Sequence, residues 1–458
     1  MKNIRIVFFG SGSLGPLWIS SFLRQHGHTV LFPPKGGNSL QMGQFPALTH
    51  DVIEATNPDL IGFSCLESNY ISCLEAARWV KREYPGILTI FGGVYPTIRP
   101  EIIRENAIDI VCIGEGERPM LELCMRLSKN LPYHDIPSLH VKMNSDVVRN
   151  EPGNPIENLD EIPDIPREEI SPYFGIYVGR GCPYSCSFCS WAKVREASRN
   201  HKLRLRSPRR VLDEIARMHE IYGNAFGSFM KIQDDTFLTD KDWLAEFLPA
   251  LHKEFPKLKY SCCTRVNLVN EEVSTLLEET GCSSVALGIE SGDEKVRNEI
   301  LKKNITLDQI KHAVSLLYKH NMKVCGQWIL GVPGEDISAM LKSMELHREL
   351  KDVAFTHICT PYYGTGIREM AIRQELIAPD LVISAGTYNT IVFNYPEEHK
   401  KMIKIIYALF PLATMPIDPS YLSNYSYFDR HHGQRDVNKP ILMDHIFEKA
   451  FSDTLGIV

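Results

Sequence analysis

The chain has no stretch near the roughly 20 consecutive apolar residues that a bilayer span needs. The apolar run in its opening, MKNIRIVFFGSGSLG, is too short for the core of a secretory signal. A span or an exported product is therefore not expected, and the sequence reads as cytoplasmic. Positive charge is also in short supply. Fifty Lys and Arg against 56 Asp and Glu leave a formal charge of -6, which argues against general attraction to nucleic acid or to a membrane surface. Internal repeats and low-complexity tracts are missing. Cysteine itself is not scarce, at 12 residues, but a reducing cytosol excludes a disulfide framework. Cys65, Cys73, Cys112, Cys124, Cys282, Cys325 and Cys359 sit in apolar segments and read as small core hydrophobes. Cys262 and Cys263 point to opposite faces of a strand and cannot chelate together.

Two or three domains are expected of 458 residues. Residues 1–150 alternate strand and helix (IRIVFF, LIGFSC, LTIFGG and DIVCIG are the strands), which predicts a doubly wound, Rossmann-like parallel sheet. Residues 151–172, EPGNPIENLDEIPDIPREEISP, are rich in proline and acid and read as a linker. A second alternation over residues 173–370 supplies six βα units, enough for a partial barrel. Within it, Ser207 is expected to cap a helix with Pro208 in its first turn. Residues 371–458 lose the alternation and read as a mixed C-terminal cap. The basic stretch RNHKLRLRSPRR reads as a solvated loop and helix start, and RHHGQR as surface.

GRGCPYSCSFCSW, residues 179–191, gathers Cys182, Cys186 and Cys189. A structural zinc wants four ligands, usually as two separated pairs, and no second pair is near. Four-iron clusters normally take four thiolates, so three leave one iron open. In its C-x3-C-x2-C spacing, with Phe188 before the last cysteine, CPYSCSFC resembles the signature of the radical S-adenosylmethionine (SAM) superfamily. The resemblance implies a [4Fe-4S] cluster on the three cysteines, with SAM chelated to the open iron and cleaved to a 5'-deoxyadenosyl radical. It further implies SAM contacts from Tyr184 and Phe188, from Gln233, Asp234 and Asp235 in QDDTF, and from Arg265 in CTRVN. Glu290 and Ser291 in ALGIESG, Gln327, and Ile329 and Gly331 in ILGVPGE complete that set. No residue is assigned as a general acid or base.

The first domain resembles the cobalamin-binding domains that precede such barrels. SCL and GG stand at family-like separation, and GGVYPTIRPE and IGEGE are typical of the two-domain group. The implied cobalamin contacts are Gly12, Ser13 and Leu14, then Ser64, Leu66 and Glu67, then Gly92, Gly93, Val94 and Tyr95, then Gly114, Glu115 and Gly116. The family's D-x-H-x-x-G is absent: Gly10, Gly12 and Gly15 occupy its Asp, His and Gly places. The implied cobalamin is base-off, without a histidine lower ligand.

Together these imply a class B type radical SAM methyltransferase, in which one SAM methylates cobalamin and a second yields the radical that activates an unactivated carbon. A protein or peptide side chain, as in the relatives acting on methyl-coenzyme M reductase, is the expected substrate. Flavodoxin or ferredoxin is the expected reductant, no nucleic-acid or membrane partner is expected, and the expected state is a monomer. TPYYGTG departs from the PYPGT of relatives, and Tyr362 and Tyr363 there are candidates to face the substrate. The alternatives are a radical cyclase or rearrangement enzyme, with or without cobalamin, and a non-enzymatic corrinoid or iron–sulfur carrier. GIES and GVPGE argue against the carrier, which has no need of SAM contacts.

Overall fold

The computed structural model describes residues 2–10, 14–32, 48–144, 146–170, 175–385 and 390–413. Gly12, Ser13 and the cap beyond residue 413 lie outside them.

In the first domain the strands are β1 (Arg5–Gly10), β2 (Thr29–Leu31), β3 (Leu60–Ser64), β4 (Leu88–Gly92), β5 (Ile110–Cys112), β6 (Leu139–Met143) and β7 (Asp146–Arg149), in the order β2-β1-β3-β4-β5-β6-β7. The first five are parallel, and their apolar runs are buried on both faces because helices cover both. The expected parallel sheet is present, with an addition the alternation did not announce: β6 and β7 join as an antiparallel hairpin. All five parallel strands end toward the same edge, where the chain turns through Ser64–Leu66, Gly92–Val94 and Gly114–Gly116.

The second domain holds β8 (Gly179–Arg180) against β9 (Arg204–Leu205), and a five-stranded parallel sheet of β10 (Phe229–Lys231), β11 (Lys259–Arg265), β12 (Cys282–Glu290), β13 (Lys323–Leu330) and β14 (Val353–Ile358), in chain order. One further parallel bridge, Ile176 to Ile232, adds the start of a sixth strand. The expected first barrel strand is thus reduced to a single bridge, because the chain leaves the sheet at Gly179 to pair with β9 instead. The result is a half-barrel with helices on its convex side. Ser207 caps the helix Pro208–Tyr222 as expected, accepting from the Arg210 N–H at 3.3 Å.

The proline-rich segment is no loose tether. Ile156, Leu159, Ile162, Ile165 and Ile170 are buried against Leu17, Trp18 and Phe22 of the first helix, each such side chain contributing about 1.5–3 kcal/mol. Its Arg167 is buried and pairs with Glu214 at 2.6 Å. Prolines kept the segment from forming regular structure while its isoleucines packed. The basic stretch that follows the cysteines is solvated at Arg199, His201, Lys202 and Arg209, as expected, but Arg204 and Arg206 are buried. Arg204 pairs with Glu115, Arg206 with Glu214 and with Asp164 (2.7 Å), and Arg209 with Glu254 (2.7 Å). Of these pairs, Arg204–Glu115 ties the two domains together.

Candidate active site between the two domains

A cavity of about 400 Å³, within the range of small-molecule sites, lies between the carboxyl ends of the first domain's strands and the mouth of the half-barrel. Its first-domain lining includes Leu14, Ser64, Leu66, Gly92, Gly93, Val94, Gly114, Glu115 and Gly116, all named from the sequence, and also Phe8, Trp18, Ile19, Ile90, Thr97 and Met120 among others, which were not. From the barrel it is lined by Gly179, Arg180, Gly181, Trp191, Asp234 and Asp235. Glycine is required at two of these positions. Gly93 has φ 103° and a Cβ there would stand 2.8 Å from the Cys65 carbonyl oxygen; Gly114 has φ 77° and would meet Ser198 Cβ at 2.8 Å.

Two residues named with that set stand elsewhere. Glu67 is buried, and its carboxylate accepts from the backbone N–H of Tyr363 (2.6 Å) and Ile383 (3.1 Å) and from Arg368 (3.3 Å). Tyr95 is fully buried, takes a hydrogen bond from Arg99 and meets the Tyr363 ring edge-on at 6.0 Å. Tyr363 is therefore turned toward the first domain, with the Arg99 guanidinium 4.9 Å from its ring centre, and away from the barrel mouth. The half-buried Tyr362 beside it does not line the cavity.

The cysteine loop borders the cavity through Gly181 and Trp191. Cys182 Sγ lies 3.8 Å from Thr236 Oγ1 and Cys186 Sγ accepts from Arg265 at 3.3 Å. Burial, opposed by a hydrogen bond from the Trp191 N–H and reinforced by Asp235 and the other two thiols, pushes Cys189 up to about 11. Among the described residues no three His, Cys, Asp or Glu converge closely enough to hold a single ion. That spacing is no objection to a cluster, in which each thiolate binds its own iron. A donor set of three sulfurs with no fourth fits a four-iron cluster with one open site.

Arg265 faces this loop. Besides Cys186 it bonds Asn267 (3.2 Å) and the Lys303 carbonyl, and its guanidinium lies 3.8 Å from the centre of the Tyr184 ring. It braces the loop instead of standing free as a carboxylate partner. Asp234 is buried and accepts from the N–H groups of Val178 (2.9 Å) and Gly179 (2.8 Å), fixing the chain just ahead of the cysteines. Burial, against those two hydrogen bonds, pushes it up to about 7. Asp235 is exposed and accepts from the Trp191 indole at 2.7 Å. The half-buried Gln233 lies on the same strand end, against Gly175.

Glu290 ends β12 at φ 69°, a left-handed conformation that a glutamate adopts only under constraint, and β12 and β13 slip in register there. Its carboxylate pairs with Lys303 at 3.0 Å. Lys303, whose ammonium stands 6.0 Å from the Phe188 ring centre, was not foreseen; it lies in a loop, LKKNI, with no recognisable pattern. The Ser291 hydroxyl is buried against Ser343 at 3.3 Å and receives the Asp293 N–H. Gln327 is half-buried on the concave face, Ile329 is buried, and the Gly331 N–H donates to Glu335 at 2.7 Å.

Two family models match the chain: the radical SAM superfamily over residues 176–347 and the B12 binding domain over residues 11–124. An uncharacterized methyltransferase of Pyrococcus horikoshii is 32% identical over 355 residues, 74% of each chain. The chain belongs to the B12-binding radical SAM family. This radical SAM enzyme is also 26% identical over 379 residues to the anaerobic magnesium-protoporphyrin IX monomethyl ester cyclase of Rubrivivax gelatinosus, covering 77% of this chain and 65% of that one. The structure of the cobalamin-dependent SAM radical enzyme OxsB with aqua-cobalamin bound shares the fold, at TM-score 0.68 and 15% identity over 99% of this chain and 76% of that one. The family's cofactors are a [4Fe-4S] cluster, SAM and cobalamin. Among the described residues, no helix is long and apolar enough to cross a membrane.

Proposed function

We propose that this radical SAM enzyme is a C-methyltransferase that methylates an unactivated carbon held between SAM and a base-off cobalamin. The observation that carries this reading is the shared cavity, whose walls are the glycine turns of the first domain on one side and Gly179–Gly181, Trp191 and the Asp234–Asp235 pair on the other. When bound, the cluster and SAM supply the hydrogen-abstracting radical and cobalamin the methyl group. The chain's own residues position and enclose. Cys182, Cys186 and Cys189 would hold the cluster, Arg265 and Asp234 brace their loop, and Gly93 and Gly114 let the turns that line the cavity pack closely on Cys65 and Ser198. Among the described residues no histidine lines the cavity, in keeping with a cobalamin without a protein lower ligand. The expected protein or peptide side chain has no feature of the fold in its favour.

The test is anaerobic incubation of the enzyme with cobalamin, SAM, a reductant and a cell extract as the source of the methyl acceptor, followed by chromatography of both SAM products. Methyl transfer yields S-adenosylhomocysteine together with 5'-deoxyadenosine. Deoxyadenosine alone, in the presence of bound cobalamin, would favour the cyclase reading that the Rubrivivax relative keeps open.

A further inference from the structure

Among the described residues the half-barrel's concave face is half-exposed to exposed along its lower rows, and the strand register fixes what stands on it. Along β10 to β13 the side chains alternate between a buried convex face, built from residues such as Met230, Tyr260, Val285 and Val324, and a more exposed concave one. Lys231, Ser261, Ser284 and Lys323 are register partners across four strands and form one row on the concave wall. Lys259 stands one step below, opposite Phe229. On β14, Val353 and Phe355 belong to the next rows up and are 54% and 49% exposed, which is unusual for side chains of that size in a folded wall.

Charge makes this wall distinctive. Among the described residues none of Lys231, Lys259 and Lys323 has an ion pair or a side-chain hydrogen bond. At the barrel mouth the loop residue Lys303 finds Glu290, and the cations of the interdomain seam find acids. In a protein of formal charge -6, three cations thus share one concave surface with no acid paired to them among the described residues, where low-dielectric walls focus their field. Lys231 and Lys323 are three strands apart, roughly 14 Å between backbones, a gap that two flexible four-carbon side chains close onto one anionic group. From Lys323 to Ile329 at the top of β13 is about 20 Å along the strand, with Phe355 between the two levels.

Resting on the reading that the reacting carbon lies at the barrel mouth, we propose that the concave wall binds the substrate as an extended amphipathic anion. Its carboxylate or phosphate is held by Lys231, Lys259 and Lys323, and its apolar body lies along Val353 and Phe355.

The holoenzyme, purified anaerobically, is titrated calorimetrically with octyl phosphate, octanoate and octyltrimethylammonium as probes, at low and high salt. The two anions are expected to bind at least about tenfold more tightly than the cation of equal chain length, and less tightly as salt screens the lysines. Whichever anion binds better identifies the headgroup. Lys231→Gln and Lys323→Gln are each expected to weaken anion binding about tenfold, with Lys231→Arg and Lys323→Arg restoring it. Equal binding of cation and anions, or anion binding unchanged in both glutamine variants, overturns the proposal. Neither outcome touches methyl transfer, which the SAM products report separately.

Discussion

Glu67 in the first domain and Arg368 in the helix that follows the last barrel strand form an ion pair buried to within 3% exposure on both sides. Burial raises the Glu67 carboxyl, and the Tyr363 and Ile383 N–H groups and Arg368 act against that. The pair sits directly after Ser64–Leu66, the turn that lines the cavity, so it ties that wall of the cavity to the second domain. Glu67→Ala strands a buried guanidinium and is expected to cost about 3–5 kcal/mol in denaturant unfolding. Glu67→Gln can keep the Ile383 and Arg368 hydrogen bonds on its one oxygen but turns an amide NH2 toward the Tyr363 N–H. The milder of the two changes, it is expected to fold, yet release more 5'-deoxyadenosine per S-adenosylhomocysteine than wild type. An unchanged ratio in Glu67→Gln would remove the positioning role.

Arg265 stands between the cluster loop and β11, touching Cys186 and Tyr184 at once. Arg265→Lys retains the charge but not the planar contacts. Iron content is expected to stay at wild-type level while SAM cleavage falls about 10- to 100-fold, as when residues that orient metal ligands are lost. Wild-type cleavage would show that Tyr184 and Cys186 hold their places unaided.

Gly93→Ala places a methyl group 2.8 Å from the Cys65 carbonyl at a backbone angle, φ 103°, that disfavours a side chain. The strain is about 1–2 kcal/mol, so cobalamin retained after purification, read from its visible absorbance, is expected to fall about tenfold or more. Cluster content should not change, because Cys182, Cys186 and Cys189 lie in the other domain.

Glu335 is buried and accepts from the Gly331 and Val332 N–H groups. Burial, outweighing those hydrogen bonds, raises it from an ordinary 4.5 to about 8. A carboxyl raised in the folded state stabilises while protonated, so its contribution is whole below pH 4.5 and is lost as pH rises toward 8. The loss is about 1.4 kcal/mol per pH unit within that window. Glu335→Gln cannot titrate. The stability difference between wild type and variant, followed by denaturant unfolding from pH 5 to 8, should therefore move against wild type; a flat difference would contradict it.

What the sequence made legible was local. The βα alternation, the glycine turns at the strand ends and the cysteine spacing are each written within a dozen residues, and the cavity is lined by those turns. What stayed hidden were partnerships set by tertiary contact. Glu67 meets Arg368 across 301 positions, Arg265 meets Cys186 across 79, and Arg204 meets Glu115 across 89. Nothing in the neighbourhood of Glu67 separates a cofactor contact from an interdomain pin. The buried isoleucines of the proline-rich segment were likewise visible as residues, but not as a packed face, because they follow no helical or strand period.

The most direct test of the account is the cofactor content of protein purified anaerobically from cobalamin-supplied cells. Cobalamin, iron and sulfide are measured per chain. The account predicts cobalamin and a four-iron cluster in equal amounts, with the cluster lost in Cys182→Ala, Cys186→Ala and Cys189→Ala. A full cluster with no cobalamin would contradict it, leaving the first domain a scaffold and the cavity without the methyl donor the proposed reaction needs.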